Sequence, residues 1–391
     1  MEITKSMALT MINSRPSVSI VIPCLNEEQT LPLVLKRVKQ LCMTTFKDRD
    51  VEVIVSDNGS TDRSVSIALN CGAKVIHCEE KGYGATLDKG IRSAKNEIVV
   101  FADADDTYDF LETEKLVVGV ERGHALVIGS RLKGTIRKRA MPPLHRFLGT
   151  PLLNFFINLL YSRNNIRISD CNSGFRAFRR DAYLRWNVKS SGMEFASEML
   201  VKALVANSKI AETPITFHAA PKKRVAHLKT WRDGMRHLLQ ILLEAPWGFH
   251  VVGSILFSVS WIFIFVSLIF QNPVPLGATS IFGIHTMVLA LLGSFFGITI
   301  WGIGLFLTVK KQTDVQIYRF FINLSEDKLF WYSFLFMVTS FVSLSLIFVG
   351  WIQDKFDFLK NVKHIVTFSA FISNGLLLIS NVMTAHLIKR A

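Results

Sequence analysis

The sequence predicts an α/β domain with a mostly parallel sheet, followed by a helical membrane domain. Two patterns indicate this fold class. From residue 17 to about residue 130, short apolar segments alternate with amphipathic segments, which is typical of strands and helices in a parallel sheet. Beyond residue 248, four stretches of more than ~20 residues contain no Asp, Glu, Lys or Arg, as expected of helices that span a bilayer.

In chain order, the α/β part is predicted to contain five strands with helices between them. The predicted strands cover residues 17–22, 51–56, 74–77, 98–102 and 126–129, and the predicted helices cover residues 26–41, 64–70 and 84–94. Residues 144–161 are strongly apolar but too short to span a bilayer, and several arginines precede them. We expect an interfacial amphipathic helix there, with a buried core helix as the alternative.

The predicted domain boundaries follow from these segments. Residues 1–16 form a tail, 17–230 the α/β domain, 231–248 a juxtamembrane amphipathic helix and 249–391 an all-α membrane domain, with four transmembrane helices at 249–270, 281–307, 329–351 and 365–388. The N-terminus lacks the apolar core of a signal peptide. Basic residues in the second connection and at the C-terminus place the α/β domain in the cytosol by the positive-inside rule. We expect an integral, multi-pass membrane protein, located in the plasma (inner) membrane if the source is bacterial.

The composition restricts the classes of partner. Hydrophobic residues make up 50% of the 391 residues, and the formal net charge is +14 at pH 7. No nucleic-acid-binding motif is present, so an anionic membrane surface and phosphorylated substrates explain the charge, and we expect no nucleic-acid partner. The five cysteines form no CxxC pair, which argues against a metal site built from cysteines and against a disulfide framework. Free cysteines indicate a reducing compartment. The predicted spans are compatible with a homo-oligomer.

The acidic end of the strand at residues 98–102 is the first candidate for chemistry. Asp103 and Asp105 follow this strand two residues apart, so in extended backbone they point to the same side. They lie at the carboxyl edge, where open α/β sheets bind ligands. Carboxylate oxygens at this spacing suit Mg²⁺ or Mn²⁺ carrying a diphosphate, with Asp105 the stronger candidate for direct ligation. A solvated acidic turn is the alternative for such a motif alone.

Four motifs occur in a fixed order along the chain: Pro23-Cys24-Leu25-Asn26-Glu27-Glu28, Asp57-Asn58-Gly59-Ser60-Thr61-Asp62, Asp103-Ala104-Asp105 and Asp170-Cys171-Asn172-Ser173-Gly174-Phe175-Arg176. Together they resemble the signature series of family 2 glycosyltransferases. The last segment is similar to one in the polyprenyl-phosphate branch, which includes dolichyl-phosphate mannose synthases and bactoprenol glucosyltransferases. The resemblance implies a Rossmann-like GT-A fold, a nucleotide-sugar donor and a polyprenyl-phosphate acceptor.

The resemblance also implies a set of donor-binding residues. Besides the acidic pair, they are Pro23, Glu27, Asp57, Lys81 and Gly84. For Glu27, the alternative is an acid in the first turn of a helix, where the helix dipole favours it. Asn58 replaces the commoner second Asp of its motif, which puts in doubt any role that needs a charge there. Gly84 and its neighbours suit phosphate at a helix start, although an ordinary glycine turn explains them equally well.

The resemblance implies that five basic residues bind the acceptor phosphate. They are Arg131, Arg146, Arg176, Lys223 and Arg224. A guanidinium fork matches a phosphate monoester, whereas plain attraction to anionic lipid is the alternative for residues 222–224. Asp170 is expected beside the transferred sugar, with a structural salt bridge to Arg176 or Arg179 as the alternative. Glu194 and Glu198 share a helical face and are expected to be solvated, with a position facing the donor sugar as the alternative.

The predicted reaction is the inverting transfer of one sugar from a UDP-glucose-like donor or GDP-mannose to undecaprenyl or dolichyl phosphate. Asp105, Asp170 and Arg131 are its predicted catalytic residues. A processive polysaccharide synthase is the first alternative, but the QxxRW motif usual in such enzymes is absent from the sequence. The second alternative is a lipid carrier or flippase with a regulatory domain. The spans of such a protein would contain paired charges, and the four predicted spans contain none.

Overall fold

The computed structural model describes residues 15–161, 166–221, 230–270, 273–276, 279–311, 316–353 and 362–390. The chain divides into two compact units, Met1–Glu244 and Ala245–Ala391. The first is an α/β domain and the second consists mainly of helices. The division falls within the segment 231–248 that was expected to form a juxtamembrane helix.

The first unit is organised around one sheet. Its strands are β1 (Val18–Cys24), β2 (Val51–Asp57), β3 (Lys74–His77), β4 (Ile98–Phe101), β5 (Leu126–Ile136), β6 (Arg176–Arg179) and β7 (Ile210–Phe217). Over the described residues their order is β3-β2-β1-β4-β6-β5-β7. The pairs β1–β2, β1–β4, β2–β3 and β5–β7 are parallel, and only β6 runs antiparallel to its neighbours β4 and β5. The predicted mostly parallel sheet is therefore confirmed.

Both faces of the sheet are covered by packed side chains. All seven residues of β1 are buried, which explains why this strand is a nearly continuous apolar run rather than an alternating one. Val100 of β4 packs into the main core cluster. Its neighbour Phe101 points to the other face, where its ring contacts Phe178 and Phe195. With both faces closed, the carboxyl ends of β1, β2 and β4 are the part of this sheet left to line a site.

Eight α-helices accompany the sheet within the described part of the first unit. They are α1 (Leu31–Met43), α2 (Ser64–Asn70), α3 (Tyr83–Ser93), α4 (Thr113–Glu121), α5 (Thr150–Tyr161), α6 (Arg180–Trp186), α7 (Phe195–Val205) and α8 (Thr230–Leu243). A π-helical turn, His145–Gly149, precedes α5. One side of α5 is core, with Leu153 and Ile157 buried, while Phe155 and Leu159 on the other side are more than half exposed. One face of this helix is therefore core, and the contact of its exposed apolar face with a membrane interface stays a prediction.

The second unit contains four helices that are long and apolar enough to cross a membrane. Its helices are α9 (Pro246–Ile269), α10 (Ile284–Lys311), α11 (Gln316–Ile322), α12 (Glu326–Gln353) and α13 (Val362–Arg390). Of these, α9, α10, α13 and residues 330–353 of α12 meet the length and composition of a span. They overlap the four predicted spans. A short hairpin of β8 (Val274–Leu276) and β9 (Thr279–Ile281), which was not predicted, follows α9.

Glycines set the close approach of α9 and α10. A Cβ atom on Gly297 would lie 2.6 Å from the backbone nitrogen of Phe257, and one on Gly253 would lie 2.7 Å from the Gly297 carbonyl oxygen. Both distances are shorter than a Cβ tolerates, and the neighbouring atoms belong to backbone that cannot rotate away. The two helices therefore pack backbone to backbone, as small residues permit in apolar surroundings.

We expect Gly297→Ala to destabilise the second unit, because the added methyl group forces α9 and α10 apart at a cost of about 1–3 kcal/mol. The measurement is the midpoint of thermal unfolding of the full chain in detergent. Gly350→Ala is the matched control, since a Cβ there meets nothing within 4 Å and Ala is the better helix former. Equal midpoints for both variants would contradict the packing described.

Candidate active site

Two adjoining cavities lie in the first unit at the carboxyl edge of the sheet. The larger has a volume of about 950 Å³ and the smaller about 370 Å³. Five residues line both of them: Tyr83, Asp103, Asp105, Met193 and Asp233. We call this shared group the junction. Three of its five members are acids, and two of these are the predicted metal-binding pair.

The junction holds Asp103 and Asp105 in defined positions. Asp103 accepts a hydrogen bond of 2.8 Å from the Tyr83 hydroxyl, and Asp105 accepts bonds from the Thr107 amide and hydroxyl. Burial raises the pKa of the Tyr83 hydroxyl well above its ordinary value, and the nearby Asp103 carboxylate raises it further. The phenol therefore stays protonated and donates. A Cβ on Gly174 would lie 2.7 Å from Asp103 Oδ2, so a larger residue there would displace this carboxylate. Asp105 is only 7% exposed, which favours a defined site over a freely solvated acidic turn.

The acids at the junction fit one kind of metal site. Within the described ranges, no group of three or more His, Cys, Asp or Glu side chains has the arrangement of a metal cage. A Mg²⁺ ion that carries a diphosphate needs only one or two carboxylates, because phosphate oxygens and water complete its octahedron. Asp103 and Asp105 match that requirement. The next acid, Asp106, turns away with a φ of 62° and pairs with Arg37 at 2.9 Å.

Three of the predicted donor-binding residues, and the neighbour of a fourth, line the larger cavity. Pro23, Glu27, Asn58 and Lys81 all line it together with the junction acids. Glu27 is only 7% exposed, and Thr30 donates to its carboxylate at 2.9 Å. Because α1 begins at Leu31 with Thr30 as its N-cap, the Glu27 carboxylate lies both at the N-terminus of this helix and at the cavity wall, so the two explanations for this acid stay predictions.

Asp57 does not line either cavity. Its carboxylate accepts hydrogen bonds from the backbone amides of Gly59 and Ser60 at 3.0 and 3.1 Å, and it is 2% exposed. Burial alone would raise the pKa of Asp57, but hydrogen bonds from Ser60 and Gly59 bring the pKa below its ordinary value. Asp57 thus holds the turn after β2, and the role in donor binding that the resemblance implies for it stays a prediction.

Asn58, and not Asp57, lines the larger cavity. Its hydrogen bonds explain why an amide stands where the motif more commonly has a second Asp. Its Nδ2 donates to the carbonyls of Cys78 and Glu80 at 3.1 and 2.7 Å, while its Oδ1 accepts from the Gly82 amide at 2.9 Å. Lys81 Nζ donates to the Asn58 carbonyl at 2.7 Å. Only an amide side chain provides both donors and an acceptor at this point, whereas a carboxylate would face two carbonyl oxygens.

The start of α3 is closed by another segment rather than open to phosphate. The Ala85 amide donates to the Ser191 carbonyl at 3.1 Å, and a Cβ on Gly84 would lie 2.2 Å from the Ser190 carbonyl oxygen. Glu198, 3% exposed, accepts hydrogen bonds from the amides of Lys189 and Ser190 and holds that segment in place. Gly84 is therefore required for packing and lines neither cavity, and its role in donor binding stays a prediction. The expected solvation of Glu198 is wrong, while Glu194 lines the larger cavity.

The smaller cavity contains one rigidly held guanidinium. Asp170 accepts hydrogen bonds from the amide, Nε and Nη2 of Arg131 at 2.8, 2.8 and 2.7 Å, and is itself completely buried. Burial alone would lower the pKa of Arg131, but the facing Tyr108 and Asp170 raise it above its ordinary value. Glu212 accepts from the Asp170 amide at 3.0 Å and supports the pair. Asp170 thus orients Arg131 instead of facing the cavity, which corrects its predicted place beside the sugar.

The other predicted phosphate ligands lie elsewhere. Arg176 is completely buried and donates to the carbonyls of Cys171, Ser173 and Ala196, so its predicted contact with the acceptor is wrong; burial lowers its pKa to about 10. Arg146 is exposed on the π-helical turn, with its guanidinium 5.4 Å from the Phe147 ring centre, and does not line the smaller cavity. Its neighbour His145 does. Lys223 and Arg224 lie outside the described residues.

Apart from Arg131 and the junction, the smaller cavity is mainly apolar. Its apolar lining comes from the segment before α5, from α5 and from α8: Met141, Leu144, Leu148, Leu152, Leu153, Trp231, Met235 and Leu238. The α8 side chains belong to the segment that was predicted to form an amphipathic helix beside the crevice. No pattern along the sequence marks Asp233, Met193 or His145 as lining residues, because they reach the cavities through tertiary packing.

Comparison with known proteins identifies relatives over most of the chain. A family model described as Glycosyl transferase family 2 matches residues 19–185. The low-salt glycan biosynthesis hexosyltransferase Agl6 of Haloferax volcanii is 38% identical over 308 residues, which cover 76% of this chain and 70% of that protein. A dolichyl-phosphate hexose transferase of the same organism is 29% identical, covering 51% and 82%. A dolichol-phosphate mannosyltransferase of Pyrococcus furiosus is 24% identical, covering 73% and 80%.

We expect Asn58→Asp to destabilise the first unit by about 1–3 kcal/mol, because a carboxylate cannot donate to the carbonyls of Cys78 and Glu80. The loss should shrink as the pH falls below the pKa of the introduced acid, since its protonated form regains one donor. Chemical denaturation of the full chain in detergent at several pH values measures both effects. Asn207→Asp, at an exposed position, is the control. An unchanged stability of Asn58→Asp would contradict the described hydrogen bonds.

Proposed function

Because this chain belongs to glycosyl transferase family 2 and its α/β domain has the GT-A fold, we propose that it transfers one sugar from a nucleotide-sugar donor to a polyprenyl phosphate. The observation that carries this proposal is the smaller cavity. It combines a fixed guanidinium with an apolar wall and adjoins the acidic junction. A phosphate carried on a long hydrocarbon chain is the ligand that needs both features.

The acceptor would bind with its two ends in different surroundings. Arg131 presents hydrogen-bond donors in a plane that Asp170 fixes, which suits the oxygens of a phosphate monoester. Isoprenoid groups would contact the leucines of α5 and the apolar residues of α8. Trp231, which lines this cavity, is 80% exposed, and Phe147 and Phe155 on the π-helical turn and α5 are 73% and 58% exposed, which suits contact with lipid. The names of two relatives, a dolichyl-phosphate hexose transferase and a dolichol-phosphate mannosyltransferase, support a lipid phosphate acceptor.

The donor would occupy the larger cavity, with its nucleoside near Pro23, Glu27 and Asn58. Lys81 contributes a positive charge to the same wall. Asp103 and Asp105 would hold the divalent metal at the diphosphate. When bound there, Mg²⁺ or Mn²⁺ neutralises the charge that builds up on the leaving nucleoside diphosphate.

The proposed reaction is a single displacement. An oxygen of the lipid phosphate attacks the anomeric carbon and forms the new C–O bond, while the bond from that carbon to the nucleoside diphosphate breaks and the diphosphate leaves with the electron pair. The configuration is inverted. The acceptor oxygen is already anionic at neutral pH, so no general base is required. Arg131 orients this oxygen, and Asp170 keeps Arg131 in the same plane throughout.

We further propose that the four apolar helices cross the bilayer and that the α/β unit faces the cytosol. The support is the length and composition of the helices and the basic residues Lys310, Lys311, Lys389 and Arg390 at the ends of α10 and α13. Nucleotide sugars are made in the cytosol, which is consistent with this orientation.

We test the function with the purified full chain, undecaprenyl phosphate or dolichyl phosphate, Mg²⁺ or Mn²⁺, and a screen of UDP- and GDP-sugars, with products identified by mass. We expect one glycolipid that carries a single sugar. A ladder of longer products would indicate the processive synthase instead, and transport without a new product would indicate a flippase.

Arg131→Lys should lower kcat/KM for the lipid at least about 10-fold, because lysine lacks the planar guanidinium that Asp170 holds in place. Arg146→Lys, outside the cavity, should retain activity.

We expect Asp105→Asn to lower kcat about 100-fold or more, because the loss of one carboxylate weakens the binding of the metal at the diphosphate. EDTA should abolish activity of the unchanged protein, and added Mg²⁺ or Mn²⁺ should restore it. Asp109→Asn is the control, since its side chain caps the Leu111 amide and an amide oxygen performs that role equally well. Full, EDTA-resistant activity in Asp105→Asn would contradict the metal assignment.

A further inference from the structure

Glu194 lines the larger cavity, and the reaction proposed above gives its side chain no role. It is the N-cap residue of α7, a position at which an acid commonly accepts a hydrogen bond from an amide of the first turn. The Glu194 side chain makes no such bond. Only its main chain serves the helix, since its carbonyl accepts from the Glu198 amide and the Ser197 hydroxyl. Helix capping therefore does not explain the carboxyl group.

Gly192 leaves the space that the Glu194 carboxyl group occupies. A Cβ atom on Gly192 would lie 2.4 Å from Glu194 Oε2 and 2.8 Å from Oε1, so the acidic side chain folds back over this glycine. Gly192 lines the larger cavity as well. Met193, between the two residues, lines both cavities and belongs to the junction. The carboxyl group thus lies next to the junction, on the side of the proposed donor.

One oxygen of this carboxyl group has no hydrogen-bond partner among the described residues. It is Glu194 Oε2, which is buried although the residue as a whole is partly exposed. Glu198, one helical turn further on, differs in this respect, because its carboxylate accepts from the amides of Lys189 and Ser190. A buried polar atom without a hydrogen bond is costly. A ligand that supplies a donor at this point therefore gains binding free energy.

The proposed donor has three parts, and they differ in the hydrogen bonds that they offer to Glu194. The diphosphate oxygens carry no protons at neutral pH and cannot donate to Oε2. The nucleoside is proposed to lie near Pro23, Glu27 and Asn58, at the ends of β1 and β2, whereas Glu194 adjoins the junction. The sugar must lie at the junction, between the donor and acceptor cavities, and its ring carries several hydroxyl donors. The sugar hydroxyls are therefore the groups that suit Oε2.

We propose that Glu194 accepts hydrogen bonds from hydroxyl groups of the transferred sugar and so helps to determine which sugar the protein uses. This inference rests on the proposed function, because it takes the larger cavity as the donor site. Hexoses that differ at one ring carbon direct one hydroxyl differently. An acceptor held beside the ring distinguishes them, since the wrong hexose leaves a buried oxygen without a partner.

The test separates the sugar from the rest of the donor. Binding of UDP, GDP and a panel of UDP- and GDP-sugars, each with Mg²⁺, is measured calorimetrically for the full chain in detergent. Glu194→Ala should weaken binding of the preferred nucleotide sugar about 10-fold or more and change the Kd of the matching nucleoside diphosphate less than about 2-fold. Glu194→Gln should lose less, because an amide oxygen still accepts. Glu114→Gln, an exposed acid in the first turn of α4, is the matched control and should bind both ligands like the unchanged protein.

Gly192→Ala tests the same contact without removing the carboxyl group. Its added methyl group would displace Glu194 Oε2. This variant should therefore also bind the nucleotide sugar about 10-fold more weakly, and it should cause no further loss in combination with Glu194→Ala. Deoxy-sugar donors give another readout: removing the hydroxyl that Glu194 binds should weaken binding to the unchanged protein but weaken binding to Glu194→Ala no further.

Equal losses for the diphosphate and the nucleotide sugar would overturn the proposal and indicate a contact with the nucleoside instead. No loss for either ligand would overturn it too. If Glu194→Ala does not fold, Glu194→Gln and Gly192→Ala provide the same comparison. The lipid product assay is independent of these measurements, so failure to glycosylate a polyprenyl phosphate would contradict the proposed acceptor while leaving the sugar contact measurable.

Discussion

The buried ion pair between Asp170 and Arg131 is the interaction on which the acceptor side of this site depends. Asp170 is completely buried, and its carboxylate binds Arg131 through three hydrogen bonds. Glu212 accepts from the amides of Ser169 and Asp170, so the acid itself is held from behind. Breaking such a pair leaves an uncompensated buried charge, at a cost of about 3–5 kcal/mol. The guanidinium is thus fixed before any phosphate arrives, and little ordering is left for binding to supply.

The donor side depends on a different constraint, the close packing of the segment at residues 189–192 against the start of α3. Gly84 permits backbone contact there, and Glu198 holds the segment through its amides. This packing also brings Met193 to the junction and Glu194 to the larger cavity. A segment more than a hundred residues later in the sequence therefore completes a wall begun by Asn58 and Lys81.

The fold could be predicted from the sequence because the patterns that indicate strands and helices are local. The partners of individual side chains could not be predicted in this way. Apolar runs and their acidic or polar ends predicted β1 to β5 and the edge where Asp103 and Asp105 meet Pro23. Pro214 and Glu212 interrupt the apolar pattern of β7, and this strand, which lies at the sheet edge where a proline is tolerated, was missed. Asp170 was expected beside the transferred sugar, with a salt bridge to Arg176 or Arg179 as the alternative. Because β5 and β6 are neighbours in the sheet, Asp170 pairs with Arg131 instead. Such choices are made by tertiary contacts that no spacing along the chain reveals.

The charges around the junction follow from the chemistry proposed for it. An anionic lipid phosphate must approach the carbon attached to an anionic diphosphate, so both anions require positive charge on the sides that face away from each other. Arg131 lies in the acceptor cavity, and Lys81, Arg232 and Arg236 lie in the donor cavity. Asp103 and Asp105 lie between the two cavities, where the divalent metal would neutralise them. The cations at the two ends would thus hold the two phosphates apart, with the uncharged sugar between them.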